Sequence, residues 1–68
     1  MKEQILRAMM AKYESDLLQA RTTLEVYLTN PAGIGEHPQV LEEVDKLFND
    51  VSTAQGNLYE VNNILKNL

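Results

Sequence analysis

Cysteine and tryptophan are missing from this 68-residue chain, and histidine and phenylalanine each occur once. Without cysteine there is neither a disulfide nor a thiolate metal site, and a single histidine leaves too few ligands for structural zinc. The lack of thiols also fits a reducing compartment. Glycine and proline are scarce, and four of those five residues fall between Asn30 and Pro38. No apolar run approaches the ~20 residues that a membrane helix requires. Lys2, Glu3 and Arg7 already charge the first ten residues, so no signal peptide is expected. These absences point to a soluble protein of the cytoplasm without a bound cofactor.

Positive charge is scarce too. Six Lys and Arg stand against ten Asp and Glu, for a net charge of −4. Residues 1–30 are balanced. Residues 36–68 carry Lys46 and Lys66 against Glu36, Glu42, Glu43, Asp45, Asp50 and Glu60. Nucleic-acid binding draws on a basic stripe that displaces counterions, and none is present. The acidic second half repels phosphate and suits a partner with a basic surface.

What the chain does have is two apolar seams spaced alternately by three and four. The first runs through Leu6, Met10, Tyr13, Leu17, Ala20, Leu24 and Tyr27. The second runs through Val40, Val44, Leu47, Val51, Ala54, Leu58, Val61, Leu65 and Leu68. This alternation marks a helix with one coiled-coil-like face. The spacing predicts one helix over about 2–29, a turn over 30–37 and a second helix over about 38–67. Glu3/Arg7, Lys12/Asp16 and Arg21/Glu25 are placed for i,i+4 pairing.

Pro31 disfavours helix at Asn30. Gly33 and Gly35 permit a sharp change of direction. Pro38 suits a first helical position, with His37 as the cap before it, and Ile34 is expected to plug the end of the seam. So short a connection makes the helices antiparallel neighbours, with Leu28 near Val40 and Tyr13 near Gln55. The fold class is therefore all-α: an antiparallel two-helix hairpin forming a single domain.

Chains below about 70–80 residues usually need a staple, and with no disulfide or metal the remaining one is another chain. Leu41 and Phe48 flank the second seam near the turn. Ile5, Met9 and Ile64 widen the apolar surface at the far end, and Leu18 adds to it on the outer side of the first helix. A hairpin cannot cover a stripe this wide, so a homodimer forming a four-helix bundle is expected through Ile5, Met9, Leu18, Leu41, Phe48 and Ile64. The outward faces hold small, mostly uncharged residues, among them Ala8, Ala11, Ser15, Ser52 and Gly56. Gly56 costs about 1 kcal/mol against alanine inside a helix, a cost that a close helix contact would offset.

No catalytic constellation is visible. His37 has no nucleophile beside it, and the serines have no histidine nearby in sequence. Glu42, Glu43 and Asp45 read as solvated surface charge. Gly33-Ile34-Gly35 lacks the lysine and the preceding strand of a phosphate loop. Di-metal bundles use Glu-x-x-His, which is absent. Tyr13 and Tyr27 belong to the seam, leaving Tyr59 as the candidate contact aromatic.

The segment Leu24-Glu25-Val26-Tyr27-Leu28-Thr29-Asn30-Pro31-Ala32-Gly33-Ile34-Gly35-Glu36-His37-Pro38 resembles the centre of small uncharacterised helical-hairpin proteins of large tailed phages, especially marine ones related to cyanophages. The resemblance covers about a quarter of the chain. It implies a phage origin and residence in the host cytoplasm or the virion, and carries no activity with it.

The expectation is a non-enzymatic protein–protein interaction module. Its candidate partner contacts are Gly33, Ile34, Gly35, Glu36, His37, Glu42, Glu43, Asp45 and Tyr59. A structural virion component packing as hairpins is the alternative. A nucleic-acid accessory role comes third, against the charge.

Overall fold

A computed structural model describes residues 1–29 and 39–68. Two helices pack against each other, and no strand occurs among the described residues. Helix α1 spans Lys2–Thr29 and helix α2 spans Val40–Lys66. The fold is an all-α helical hairpin.

Helix α1 contains neither glycine nor proline, and its charged face is closed by i,i+4 pairs. Arg7 Nε lies 3.1 Å from Glu3, and Lys12 Nζ lies 2.8 Å from Asp16. The expected Arg21/Glu25 pair does not form. Both residues are exposed, where such a pair gains too little to hold two long side chains in one geometry. Lys46 and Asp50 make a further pair on α2 at 3.1 Å. The β-branched stretch near the end of α1 remains helical because its threonines bond back to the preceding turn. The Thr23 hydroxyl donates to the Gln19 carbonyl at 2.9 Å, and Thr29 donates to Glu25 at 2.7 Å.

Helix α2 begins after Gln39, whose carbonyl accepts the Glu43 N–H at 3.0 Å. Gln39 thus occupies the capping position, two residues later than the one expected for His37. No side chain caps this end. Glu42 and Glu43 in the first turn and Lys66 in the last complement the helix dipole. At the far end the Asn67 side chain donates to the Asn63 carbonyl at 2.8 Å.

The seams meet as predicted. Every residue of the first seam, and every residue of the second through Leu65, is buried or half-buried. Leu68 departs from the seam and is exposed, because the helix stops at Lys66 and the periodicity has no backbone to carry it further. The helices are antiparallel: Tyr27 near the end of α1 donates its hydroxyl proton to Glu43 near the start of α2.

The core is thin. Among the described residues only Ala20, Leu24, Ala54 and Val61 are buried, and no large side chain is fully enclosed. Two of the four are alanines, which lets the helix backbones approach closely at mid-length. The molecule is a rod with principal extents of 50 × 15 × 14 Å and a radius of gyration of 15.4 Å. A compact chain of this length has a radius near 11 Å.

Candidate interaction surfaces

A pair of helices has two open sides, one along each edge of its seam. One side is a polar groove. Lys12, Asp16, Gln19 and Thr23 from α1 line it, opposite Asp50, Thr53 and Asn57 from α2. Toward the end of α1 it continues past Thr23 and Tyr27 to Gln39, Glu42, Glu43 and Lys46. Apart from Glu42, each residue in this groove is a seam residue or immediately precedes one.

That rule has a geometric cause. Each step along a helix turns about 100°, so the residue before a seam position falls on one flank and the residue after it on the other. In an antiparallel pair of right-handed helices, the two preceding flanks lie on the same side of the pair. The two following flanks therefore share the opposite side.

The polar groove is internally satisfied. Lys12 and Asp16 pair within α1, and Lys46 and Asp50 within α2. The Asp16 hydrogen bond and charge hold the Lys12 ammonium above its ordinary pKa of 10.5. Lys12 Nζ also lies 5.5 Å from the centre of the Tyr13 ring, within cation–π reach. The Tyr27 pKa is raised above 10.0, first because its hydroxyl donates to Glu43, then through burial and the carboxylate's charge. No side-chain nitrogen or oxygen is buried without a partner among the described residues.

The other side, hereafter the apolar side, carries five large apolar side chains among charges of both signs. Leu18 and Leu28 follow seam residues of α1, and Leu41, Phe48 and Tyr59 follow seam residues of α2. All five are exposed: Leu41 by 83%, Tyr59 by 65% and Phe48 by 52%. Leu41 and Tyr59 are about 27 Å apart along α2, given 1.5 Å per residue.

The six side chains expected to support self-association do not form one continuous stripe. Leu18, Leu41 and Phe48 lie on the apolar side. Ile5, Met9 and Ile64 precede seam residues, so they lie on the groove side at the end carrying both termini. Ile5 and Ile64 are exposed there, and Met9 is half-buried.

The partner candidates separate as well. Glu42 and Asp45 are exposed, whereas Glu43 is half-buried and engaged by Tyr27. Tyr59 is exposed on the apolar side, beside Phe48 in sequence phase. Gly33, Ile34, Gly35, Glu36 and His37 lie outside the described residues, as does the seam-plugging role expected of Ile34. Nothing in the hairpin approaches Gly56: a Cβ built there meets no atom within 4 Å. The close contact expected at Gly56 is thus not made between the two helices.

Sequence reasoning missed Leu28 as a surface residue, although it follows the seam residue Tyr27 as Phe48 follows Leu47. It also missed the Tyr27–Glu43 bond, which the antiparallel register brings within reach. Among the described residues no group of three His, Cys, Asp or Glu side chains could hold a metal ion, and no helix is long and apolar enough to cross a membrane. No protein-family model, curated protein or solved structure matches the chain.

Proposed function

We propose that this chain is a non-enzymatic protein–protein interaction module that works as a homodimer, two hairpins making a four-helix bundle. We place it, by the resemblance of its turn, among the small accessory proteins of tailed phages, acting in the host cytoplasm. The observation that carries the reading is the imbalance between core and surface. Four small or medium residues are buried, while ten large apolar side chains are exposed among the described residues. Such a rod gains stability chiefly by covering its own flank, because each Å² of apolar surface removed from water contributes ~25 cal/mol.

The outer surface of the bundle is acidic. Glu42 is exposed, unengaged by any ion pair among the described residues, and off the flank that follows the seam. It suits a partner with a basic surface. Affinity capture from infected cells, with the wild type beside a Glu42→Lys variant, tests this. A protein retained only by the wild type, and binding it again when purified, supports the reading. Equal retention by both would sink the acidic-contact part of it. Glu43 is left intact in this test, since reversing it would break the bond from Tyr27.

One feature favours a second reading, a structural component of the virion. Apolar residues sit on both sides of the rod, with Ile5 and Ile64 on one and Leu41 and Phe48 on the other. Contacts between unlike patches run head to tail, and they propagate into open arrays when their rotation does not close a ring. High copy number in purified particles would favour this role over that of a free dimer.

A further inference from the structure

Resting on the proposed self-association, we infer that the hairpin pairs with a second copy of itself through the side bearing Leu18, Leu28, Leu41, Phe48 and Tyr59, leaving the polar groove open on the outside of the dimer.

Three observations converge on this side and this occupant. The first is area. The chain exposes 5248 Å². A compact protein of 7.7 kDa exposes about 4,300 Å² by the scaling of surface with mass. The excess of roughly 900 Å² is close to one partner's share of a standard interface, about 800 Å². A single apolar flank of a 50 Å rod is the right size to supply it.

The second observation is contrast between the sides. Along its middle the groove side presents Lys12, Asp16, Lys46 and Asp50, already paired within their own helices, and its exposed large apolar residues, Ile5, Val26 and Ile64, are confined to its two ends. Burying those pairs would cost desolvation that their mutual attraction does not recover. The opposite side presents two leucines on α1 and a leucine, a phenylalanine and a tyrosine on α2, spread along its length among six charges of both signs. Aromatic residues are enriched at interface centres, and Phe48 lies between Leu41 and Tyr59 along the flank.

The third observation is charge, which selects a copy of this chain over another partner. The charged residues that follow seam positions are Arg7, Arg21 and Lys66 on one sign, and Glu14, Glu25 and Asp45 on the other. This side is therefore neutral in a chain of net charge −4. A neutral face of mixed sign can meet itself without repulsion. Arg21 and Glu25, which make no ion pair with each other, stand beside the apolar patch and are available to a symmetry mate. Among the described residues the excess acid lies elsewhere, at Glu42, Glu43 and Glu60, where self-pairing would bring like charges together.

The test is solution mass by light scattering after size exclusion, over a wide range of concentration. The wild type is expected at twice 7.7 kDa. Leu41→Glu/Phe48→Glu should weaken the dimer by at least about thirtyfold, the effect of losing a central hot-spot residue. Ile5→Glu/Ile64→Glu, on the groove side, should leave the dimer intact. A wild-type monomer at all concentrations would overturn both this inference and the self-association it rests on. A dimer that survives the first variant and is lost in the second would overturn the choice of side alone.

A second arm does not depend on how the charged variants fold. The chain has no cysteine, so a single introduced thiol reports only its own position. Gln55→Cys, following the seam residue Ala54, should cross-link into dimers with a flexible bismaleimide. Asn57→Cys, in the groove, should not. Cross-linking of Asn57→Cys, whether alone or as efficiently as Gln55→Cys, would remove the groove from the outside of the dimer and refute the assignment.

Discussion

Replacing Gly56 by alanine should stabilise the protein. Gly56 is exposed within α2, between the seam residues Ala54 and Leu58, and points away from the partner helix. No glycine among the described residues has positive φ, so alanine meets no backbone strain. A Cβ added there finds open space. Two effects then act in the same direction. Alanine is favoured over glycine in a helix interior by about 1 kcal/mol. Part of that gain arises in the unfolded chain, which loses conformational freedom when glycine is removed, and measured values of this kind run at ~0.4–1 kcal/mol. The expected gain is therefore about 0.7 kcal/mol per chain.

For a folding unit of this size, 1 kcal/mol moves the thermal midpoint by roughly 4–8 °C. A rise of about 3–5 °C is thus expected on that scale, read by circular dichroism. Dimerisation hardly changes the forecast, since a dimer carries two substitutions and about twice the unfolding entropy. In urea, with a slope near ~1 kcal/mol/M, the midpoint should rise by about 0.7 M. Mass by light scattering should be unchanged, because Gly56 lies away from the side assigned to self-pairing. A fall in midpoint, or a lighter particle, would refute the reasoning. Either result would mean that a second helix closes onto Gly56 from outside the hairpin.

Three further outcomes follow from the packing. Tyr27→Phe removes the hydroxyl that bridges α1 to Glu43, so its thermal midpoint should fall at neutral pH. The Tyr27 pKa is raised by folding, so its contribution is complete below pH 10 and is lost as pH rises through the folded value. The wild type should lose stability more steeply than Tyr27→Phe in alkaline titration, and parallel curves would contradict the bond. Leu24→Ala opens the thin core and should cost about 2 kcal/mol, the low end for such truncations, in urea unfolding; a negligible cost would place Leu24 outside the core. The three exposed i,i+4 pairs contribute a few tenths of a kcal/mol each, so ~1 M salt should lower stability by less than about 1 kcal/mol; a larger loss would show that charge holds the hairpin together.

Much of the fold was legible because a seam is a one-dimensional property. Leu6, Met10, Tyr13 and their successors lie inward for the same reason that they are spaced by three and four, and burial then follows from helix geometry alone. Legibility ended where periodicity ended. Leu68 keeps the spacing, but the helix does not reach it. The cap moved from His37 to Gln39, since proline and its neighbours tolerate several helix starts a residue or two apart. Arg21 and Glu25 have the spacing of a pair and do not make one, since spacing permits an exposed ion pair without enforcing it.

The sidedness of the surface was harder to read, and it bears most on function. Counting apolar residues near the seam puts Ile5, Met9, Leu41, Phe48 and Ile64 in one widened stripe. Distance from the seam is the same for a residue before it and a residue after it. Only the sign of the step separates them, and the sign acquires meaning once helix handedness is combined with antiparallel pairing. Applied to both helices, the sign sends Asp16, Thr23, Lys46, Asp50, Thr53 and Asn57 to the groove and Leu28, Leu41, Phe48 and Tyr59 to the opposite side. The sorting by polarity holds along the middle of the rod and weakens at both ends, where Val26 at the α1–α2 end and Ile5 and Ile64 near the termini fall on the polar side. A bundle built on the apolar side, where Leu28 and Leu41 fall at the α1–α2 end, would pack most tightly there, with its looser end at the termini.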